Sequence, residues 1–286
     1  MSVRRMINEY LKLMKPHVIW LLVLSALVGY IAAAGPLVNP IKLIELTVVG
    51  FLSTGGSAAF NMYYERDIDS LMVRTMKRPI PSGKVTPLNA LTFSIAVSLS
   101  GFTLSYLWLG SWVTLMIALG WFFYAVLYTI MLKRRTWLNI VIGGFAGNAA
   151  LLSGWIMAKP IDLESILLSM VIYVWIPAHI WSLAYYARDD YKRVNVPMLP
   201  TMVNEKASVR IISILNLVSI IYMLVLYQLY MAKLIGYILV IPATLAGIIV
   251  TIKALIKPSN ESFRTMFKAT SPILLLFLLA VIISRI

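Results

Sequence analysis

Nine apolar runs, each close to twenty residues long, leave few architectures open to this chain. They fall at about 17–35, 41–62, 88–108, 112–131, 138–157, 164–186, 211–231, 233–256 and 269–286. A helix needs about 20 consecutive apolar residues to cross the hydrocarbon core of a bilayer, where each backbone N–H and C=O must be satisfied within the segment. Nine such runs in 286 residues predict an all-α integral membrane protein, with nine transmembrane helices in one domain over residues 1–286. Only 13% of residues are charged and 60% are hydrophobic, whereas an ordinary soluble domain is about 25% charged. A soluble enzyme and a disordered chain are therefore excluded. Cysteine is absent, which also excludes thiolate metal sites and thiol catalysis.

The charge that remains is one-sided. There are 25 Lys and Arg against 11 Asp and Glu, a net +14. In a soluble chain that balance would suggest nucleic acid; here it first reports topology. Twenty-one of the 25 basic residues lie in the N-terminal segment and in the loops after spans 2, 4, 6 and 8. The remaining four, Lys42, Lys159, Lys233 and Arg285, lie on the opposite side. Lys and Arg accumulate on the cytoplasmic face, so the N-terminus is expected inside and the C-terminus outside. The first span follows Arg4, Arg5, Lys12 and Lys15 with no small-residue cleavage site behind it, and reads as a retained helix rather than a signal peptide.

Most informative acidic residues share that face, in two clusters at the ends of spans 2 and 6. The first is Asn61-Met-Tyr-Tyr-Glu65-Arg66-Asp67-Ile-Asp69. Positions 61, 65 and 69 share one helical face, spread over about 80° and about 12 Å. Such oxygen ligands suit Mg²⁺, which takes one or two carboxylates and completes its shell with water and substrate phosphate. A solvated helix end whose carboxylates pair with Arg66 and Arg74 is the plainer alternative. The second cluster is Tyr185-Tyr186-Ala-Arg188-Asp189-Asp190-Tyr191. It repeats Tyr, Tyr, Arg and Asp in the order of Tyr63 to Asp69, and each cluster leads into a proline-bearing stretch. Because the clusters are four spans apart, the chain reads as two related four-helix units plus one helix. Packed around an axis normal to the membrane, the units would set the two clusters across one central cavity. That arrangement suits metal ions clamping a diphosphate. Lys77, Arg78, Lys133, Arg134, Arg188 and Lys192 lie beside these clusters; plain topology explains many of them, and phosphate binding is the functional alternative for those adjacent to carboxylates. His179, inside span 6 and just after Pro177, is expected to face protein or a cavity rather than lipid.

The strings themselves resemble a known family. Asn61-x₃-Glu65-x₃-Asp69 followed by Lys77-Arg78-Pro-Ile-Pro-Ser-Gly83 is similar to the first aspartate-rich motif of the UbiA-type intramembrane prenyltransferases. Lys15-Pro16, Tyr128-Thr-Ile-Met-Leu-Lys133-Arg-Arg-Thr136 with Asn139, Pro177-Ala-His179-Ile-Trp181, and Arg188-Asp-Asp-Tyr191 through Pro197-Met-Leu-Pro200 resemble its heme-farnesylating branch. The resemblance runs from about residue 10 to 270. It implies nine helices around a cavity, Mg²⁺ as cofactor, farnesyl diphosphate as donor, heme b as acceptor and heme O as product. A heme A synthase would be a downstream partner, nucleic acid would play no part, and the enzyme would sit in the cell membrane with its site on the cytoplasmic side. Asn61, Glu65, Asp69, Asp189 and Asp190 would then be the metal-binding and catalytic residues. Arg66, Lys77, Arg78, Lys133, Arg134, His179, Arg188 and Tyr191 would bind substrate. Two departures stand out: Glu65 occupies a position where Asp is usual, and the second motif is Asp-Asp-Tyr rather than Asp-x₃-Asp.

Two rival readings remain. One is a member of the same family acting on an aromatic or glycerol-phosphate acceptor, against which His179 and the Asp-Asp-Tyr segment argue. The other is a secondary transporter, which should place its ionisable residues near mid-membrane rather than at the helix ends.

Overall fold

The structure is a computed structural model that describes residues 3–286; within them every regular element is helical. A short amphipathic helix α1 (Val3–Leu13) leads into α2 (Pro16–Ala34), α3 (Pro40–Tyr64), the short α4 (Arg66–Leu71) and α5 (Pro87–Leu109). Then come α6 (Ser111–Trp121), continued by a π-helix over Phe122–Leu132, α7 (Asn139–Gly143), α8 (Phe145–Trp155) and α9 (Leu163–Tyr186). Two short helices follow, α10 (Arg188–Arg193) and α11 (Leu199–Met202), before α12 (Glu205–Tyr230), α13 (Leu234–Ile256) and α14 (Asn260–Arg285). Starts are marked by side-chain oxygens that satisfy the first free N–H groups. Asn39, Thr86 and Asn204 cap α3, α5 and α12, and Asp162 forms a reciprocal box with Ser165 at α9.

Among the described residues, eight helices are long and apolar enough to cross a membrane, and the chain is a multi-pass integral membrane protein. The stretch expected as a ninth span, 138–157, is helical but divided into α7 and α8 at Gly144. Gly144 keeps right-handed dihedrals (φ −57°, ψ −26°), so the division is a local loosening rather than a reversal of the chain. Glycine favours such loosening because it adds backbone freedom and no packing.

Helices pack where their faces are small. On α5 the buried positions are Ala90, Ser94, Ser98, Gly101 and Ser105, a stripe that lies against Ser53 and Gly56 of α3. Close approach of this kind replaces the hydrophobic drive that is missing between helices in lipid. Large apolar residues such as Leu99, Ile238, Ile241, Leu245 and Ile249 point outward, where a bilayer rather than water covers them.

The loops after spans 2 and 6 hold structure of their own. Helix α3 stops at Glu65 (φ −92°, ψ 9°) and restarts at once as six-residue α4; α9 stops at Ala187 (φ −101°, ψ 25°) and restarts as six-residue α10. The break falls at the same place in the two Tyr-Tyr-x-Arg-Asp strings, so the sequence repeat coincides with a repeat of backbone shape.

Candidate functional site

The first cluster converges at the basic end of the bundle. Asn61, Glu65 and Asp69 are each only 2% exposed, and i to i+4 backbone bonds from Glu65 N–H to the Asn61 carbonyl and from Asp69 N–H to the Glu65 carbonyl keep them in helical register across the break. Asn61 Nδ2 donates to Glu65 Oε1 at 2.7 Å and also meets Thr129 Oγ1 at 3.1 Å. Lys133 Nζ donates to the same Glu65 oxygen at 2.5 Å, and Lys15 Nζ donates to Asn61 Oδ1 at 2.7 Å. Arg78 Nη1 pairs with Asp69 Oδ2 at 2.6 Å. Buried carboxylates need such partners, since removing a charge from water is costly. The partners differ from the Arg66 and Arg74 pairing that the sequence left open: Arg66 bonds the Tyr63 carbonyl and lies over its ring.

Charge balance here is set by burial against neighbours. Burial works to raise the Glu65 carboxyl, but Lys133 and Lys15 outweigh it and hold Glu65 below the ordinary carboxylate range. Burial works to lower Lys133, and Glu65 outweighs it, keeping the amine protonated. Lys15 goes the other way: burial, then repulsion from Arg78, push it down to about 7.

Lys133 reaches this cluster because of the π-helix. Lys133 N–H bonds the Tyr128 carbonyl and Thr129 Oγ1 bonds the Tyr124 carbonyl, both five residues back. In an α-helix, nine residues make about two and a half turns, which would set Tyr124 and Lys133 on opposite faces. The wider π register brings them to one side. π segments are rare and concentrate at functional sites.

The second cluster meets the first, though with unequal parts. Asp190 accepts hydrogen bonds from the Val73 and Arg74 N–H groups at 3.1 and 3.2 Å, and Arg193 pairs with it at 3.3 Å. Arg134 grips Asp67 through two bonds of 2.8 and 2.6 Å, holding Asp67 below the usual carboxylate range and tying the loop after span 4 to α4. Asp189 and Lys77 are exposed, Tyr191 is buried, and Arg188 lies 5.7 Å over the Tyr185 ring. In the repeat, Asn61, Glu65 and Asp69 correspond to Leu183, Ala187 and Tyr191. The carboxylate face is therefore built in the first half alone.

A deep cavity opens below this cluster. Counted together with the space where it opens to the surface it measures about 800 Å³, and its wall is formed by α2, α3, α6 and α8 with the head of the π-helix. Lys15 stands at its charged end, and the rest is largely apolar, with Val23, Ala26, Leu46, Met116, Trp121 and Tyr124 on the lining. His179 is not on that lining. Its ring is sandwiched between Trp175 and Phe267, at 4.2 and 4.5 Å. His179 Nδ1 lies 2.6 Å from Thr270 Oγ1, and the same hydroxyl is 2.8 Å from the Phe267 carbonyl; when the hydroxyl donates to that carbonyl, Nδ1 is the donor and Nε2 keeps the lone pair.

Lys15 and Thr129 belong to the site without having been singled out for it. Lys15 carried a visible signal, the Lys-Pro pair ahead of span 1. Its left-handed backbone (φ 52°), which turns the amine inward, did not show in the sequence. Among the described residues no three His, Asp or Glu side chains converge as a ready-made metal cage. Oxygen donors on successive turns nonetheless fit Mg²⁺, whose remaining ligands come from water and phosphate.

The site thus joins an apolar cavity, with Lys15 at its charged end, to a buried cluster of paired basic and acidic side chains. The comparisons specify the class: residues 22–282 match the UbiA prenyltransferase family, and the chain belongs to that family. Chains named protoheme IX farnesyltransferase from Pyrobaculum islandicum and Pyrobaculum arsenaticum are each 53% identical to it, over 97% and 96% of this chain and 100% and 99% of theirs. One of that name from Korarchaeum cryptofilum is 36% identical over 93% of this chain and 90% of its own. In fold, the chain resembles an apo UbiA homolog from Aeropyrum pernix K1 (TM-score 0.79, 18% identity, 94% of this chain and 98% of that one). It also resembles a UbiA homolog from Archaeoglobus fulgidus bound to GPP and Mg²⁺ (TM-score 0.69, 13% identity, 96% and 99%).

Proposed function

We propose that this protein transfers the farnesyl group of farnesyl diphosphate to a vinyl group of heme b with addition of water, giving heme O and diphosphate. The observation that carries the reading is the juxtaposition of an apolar cavity with Lys15, which lines it and donates to Asn61 beside Glu65 and Lys133. The full-length likeness to chains named for that activity supports the choice of substrates. Asn61, Glu65 and Asp69, with Asp189 and Asp190 from the second half, would hold Mg²⁺, which when bound neutralises diphosphate charge.

The chain's own groups supply the rest. Lys133, Arg78 and Lys15 take the diphosphate oxygens and stabilise the charge that gathers on them as the C1–O bond breaks. Arg66, Lys77, Arg134, Arg188 and Tyr191 ring the same end and are assigned to the diphosphate or to the heme propionates. The cavity encloses the tail and keeps water from the allylic cation until the vinyl carbon has attacked. Water then captures the new cation beside the heme, and loss of its proton to the departed diphosphate leaves the hydroxyl. His179, with Nε2 as an acceptor, is assigned to the heme.

The nine-span count, two related units in one domain, and a cytoplasmic site in the cell membrane complete the reading, supported by the asymmetry of Lys and Arg. A heme A synthase would be the neighbour that receives the product. The deciding experiment gives purified protein farnesyl diphosphate and Mg²⁺, with and without heme b, and follows pyrophosphate release and the mass of the extracted heme. Heme-dependent release with a heme O mass is the expected result. Release that depends instead on an aromatic or glycerol-phosphate acceptor would overturn the choice of heme, and no release with any acceptor would overturn prenyl transfer.

A further inference from the structure

The cavity ends in two kinds of floor. From Lys15, the cap of α2, its lining runs eleven residue steps to Ala26, about 16 Å at 1.5 Å per residue. Just beyond Ala26, α2 and α8 come into backbone contact: a Cβ on Gly29 would overlap the Leu151 carbonyl oxygen, and one on Gly154 that of Ala26. This part of the floor is main chain and cannot be cut back by substitution.

The α3 side ends differently. Leu46 lines the cavity, has no exposed surface, and packs with Ala26 and Tyr30 in a closed apolar cluster. Nearer the charged end, the same wall of α3 is Gly50, Ser53, Thr54, Ser57 and Ala58, all small. At Gly50 a Cβ would already touch the methyls of Val23 on α2 at 3.4 Å, so the α2 and α3 walls are close here and a larger side chain would close the space between them. Space therefore runs along α3 for as long as its side chains are small, and it stops at the first large one.

We propose that Leu46 is the residue that limits the length of the prenyl tail, an inference that rests on reading the cavity as the site of a prenyl diphosphate. Trimming Leu46 extends the cavity toward Tyr30 and admits one more isoprene unit. Filling position 50 shortens it and favours one fewer. Changes of a methylene or more in an apolar pocket shift selectivity by roughly 10- to 200-fold.

The test uses the purified full chain with Mg²⁺ and the C10, C15 and C20 all-trans prenyl diphosphates, reading binding by calorimetry and kcat/KM with heme b. Leu46→Ala is expected to raise the C20:C15 ratio about tenfold or more, and Gly50→Leu to raise the C10:C15 ratio by a similar factor. If Leu46→Ala does not fold, Leu46→Val takes its place, with a smaller shift in the same direction. Ratios that stay at the parent values in the folded variants, while the parent binds C15 diphosphate, overturn the role of Leu46 and leave the prenyl reading standing. A parent protein that binds no prenyl diphosphate overturns that reading and this inference together.

Discussion

Lys15 Nζ donates to Asn61 Oδ1 at 2.7 Å, so the residue just ahead of the first membrane helix closes on the last turn of the second. The left-handed backbone of Lys15 and the fixed φ of Pro16 turn the chain so that the amine enters the bundle rather than the solvent. Lys15→Met keeps the stem and removes the charge. Prenyl transfer should fall about 100-fold, as when one preorganised donor to a developing anion is removed, while circular dichroism stays at the parent signal. Turnover within twofold of the parent would exclude Lys15 from the diphosphate site.

Asp69 is the carboxylate that Arg78 grips at 2.6 Å. Asp69→Asn should abolish turnover without preventing membrane insertion, because the amide keeps the shape and loses the charge that a cation requires. Near-normal heme O production by a well-folded Asp69→Asn protein would sink the metal-clamp assignment. Diphosphate release should likewise vanish on chelation and return with Mg²⁺.

Asp190 holds the Val73 and Arg74 N–H groups, which places it as a tether for the loop carrying Arg78. Asp190→Ala frees two backbone donors, each worth about 1 kcal/mol when paired. Limited proteolysis should then cut faster within residues 72–86, and turnover should drop with it. Lost turnover with the loop as protected as in the parent would instead assign Asp190 to the metal alone.

His179 stacks between Trp175 and Phe267. His179→Ala should weaken heme binding, followed by the heme absorption band, and spare farnesyl diphosphate binding, followed by calorimetry. Unchanged heme affinity would remove the assignment.

The membrane fold was legible because its signal is local. Each apolar run satisfies its own backbone, so length and hydropathy suffice to find it. The exception shows why: at 138–157 hydropathy is unbroken, yet Gly144 divides the helix, and hydropathy does not register a loosened backbone. The first-cluster residues Asn61, Glu65 and Asp69 were also visible, since helical spacing alone puts them on one face. Arg78 and Lys133 were visible as nearby cations, but which carboxylate each one meets was not. Thr129 and Lys133 join them only through a π register that no pattern of apolar residues announces, and Asp190 joins as a cap on a loop more than a hundred residues away.

By itself, then, the amino-acid order determined a basic-ended bundle of membrane helices with an oxygen-rich face at the end of the second span, because periodicity and charge asymmetry act along the chain. Tertiary structure decided which charges neutralise one another, and that Lys15 and Leu46 line one cavity beneath the first cluster. Those outcomes depend on distances between helices, which close backbone contacts such as Gly29 with Leu151 fix and which no stretch of sequence contains.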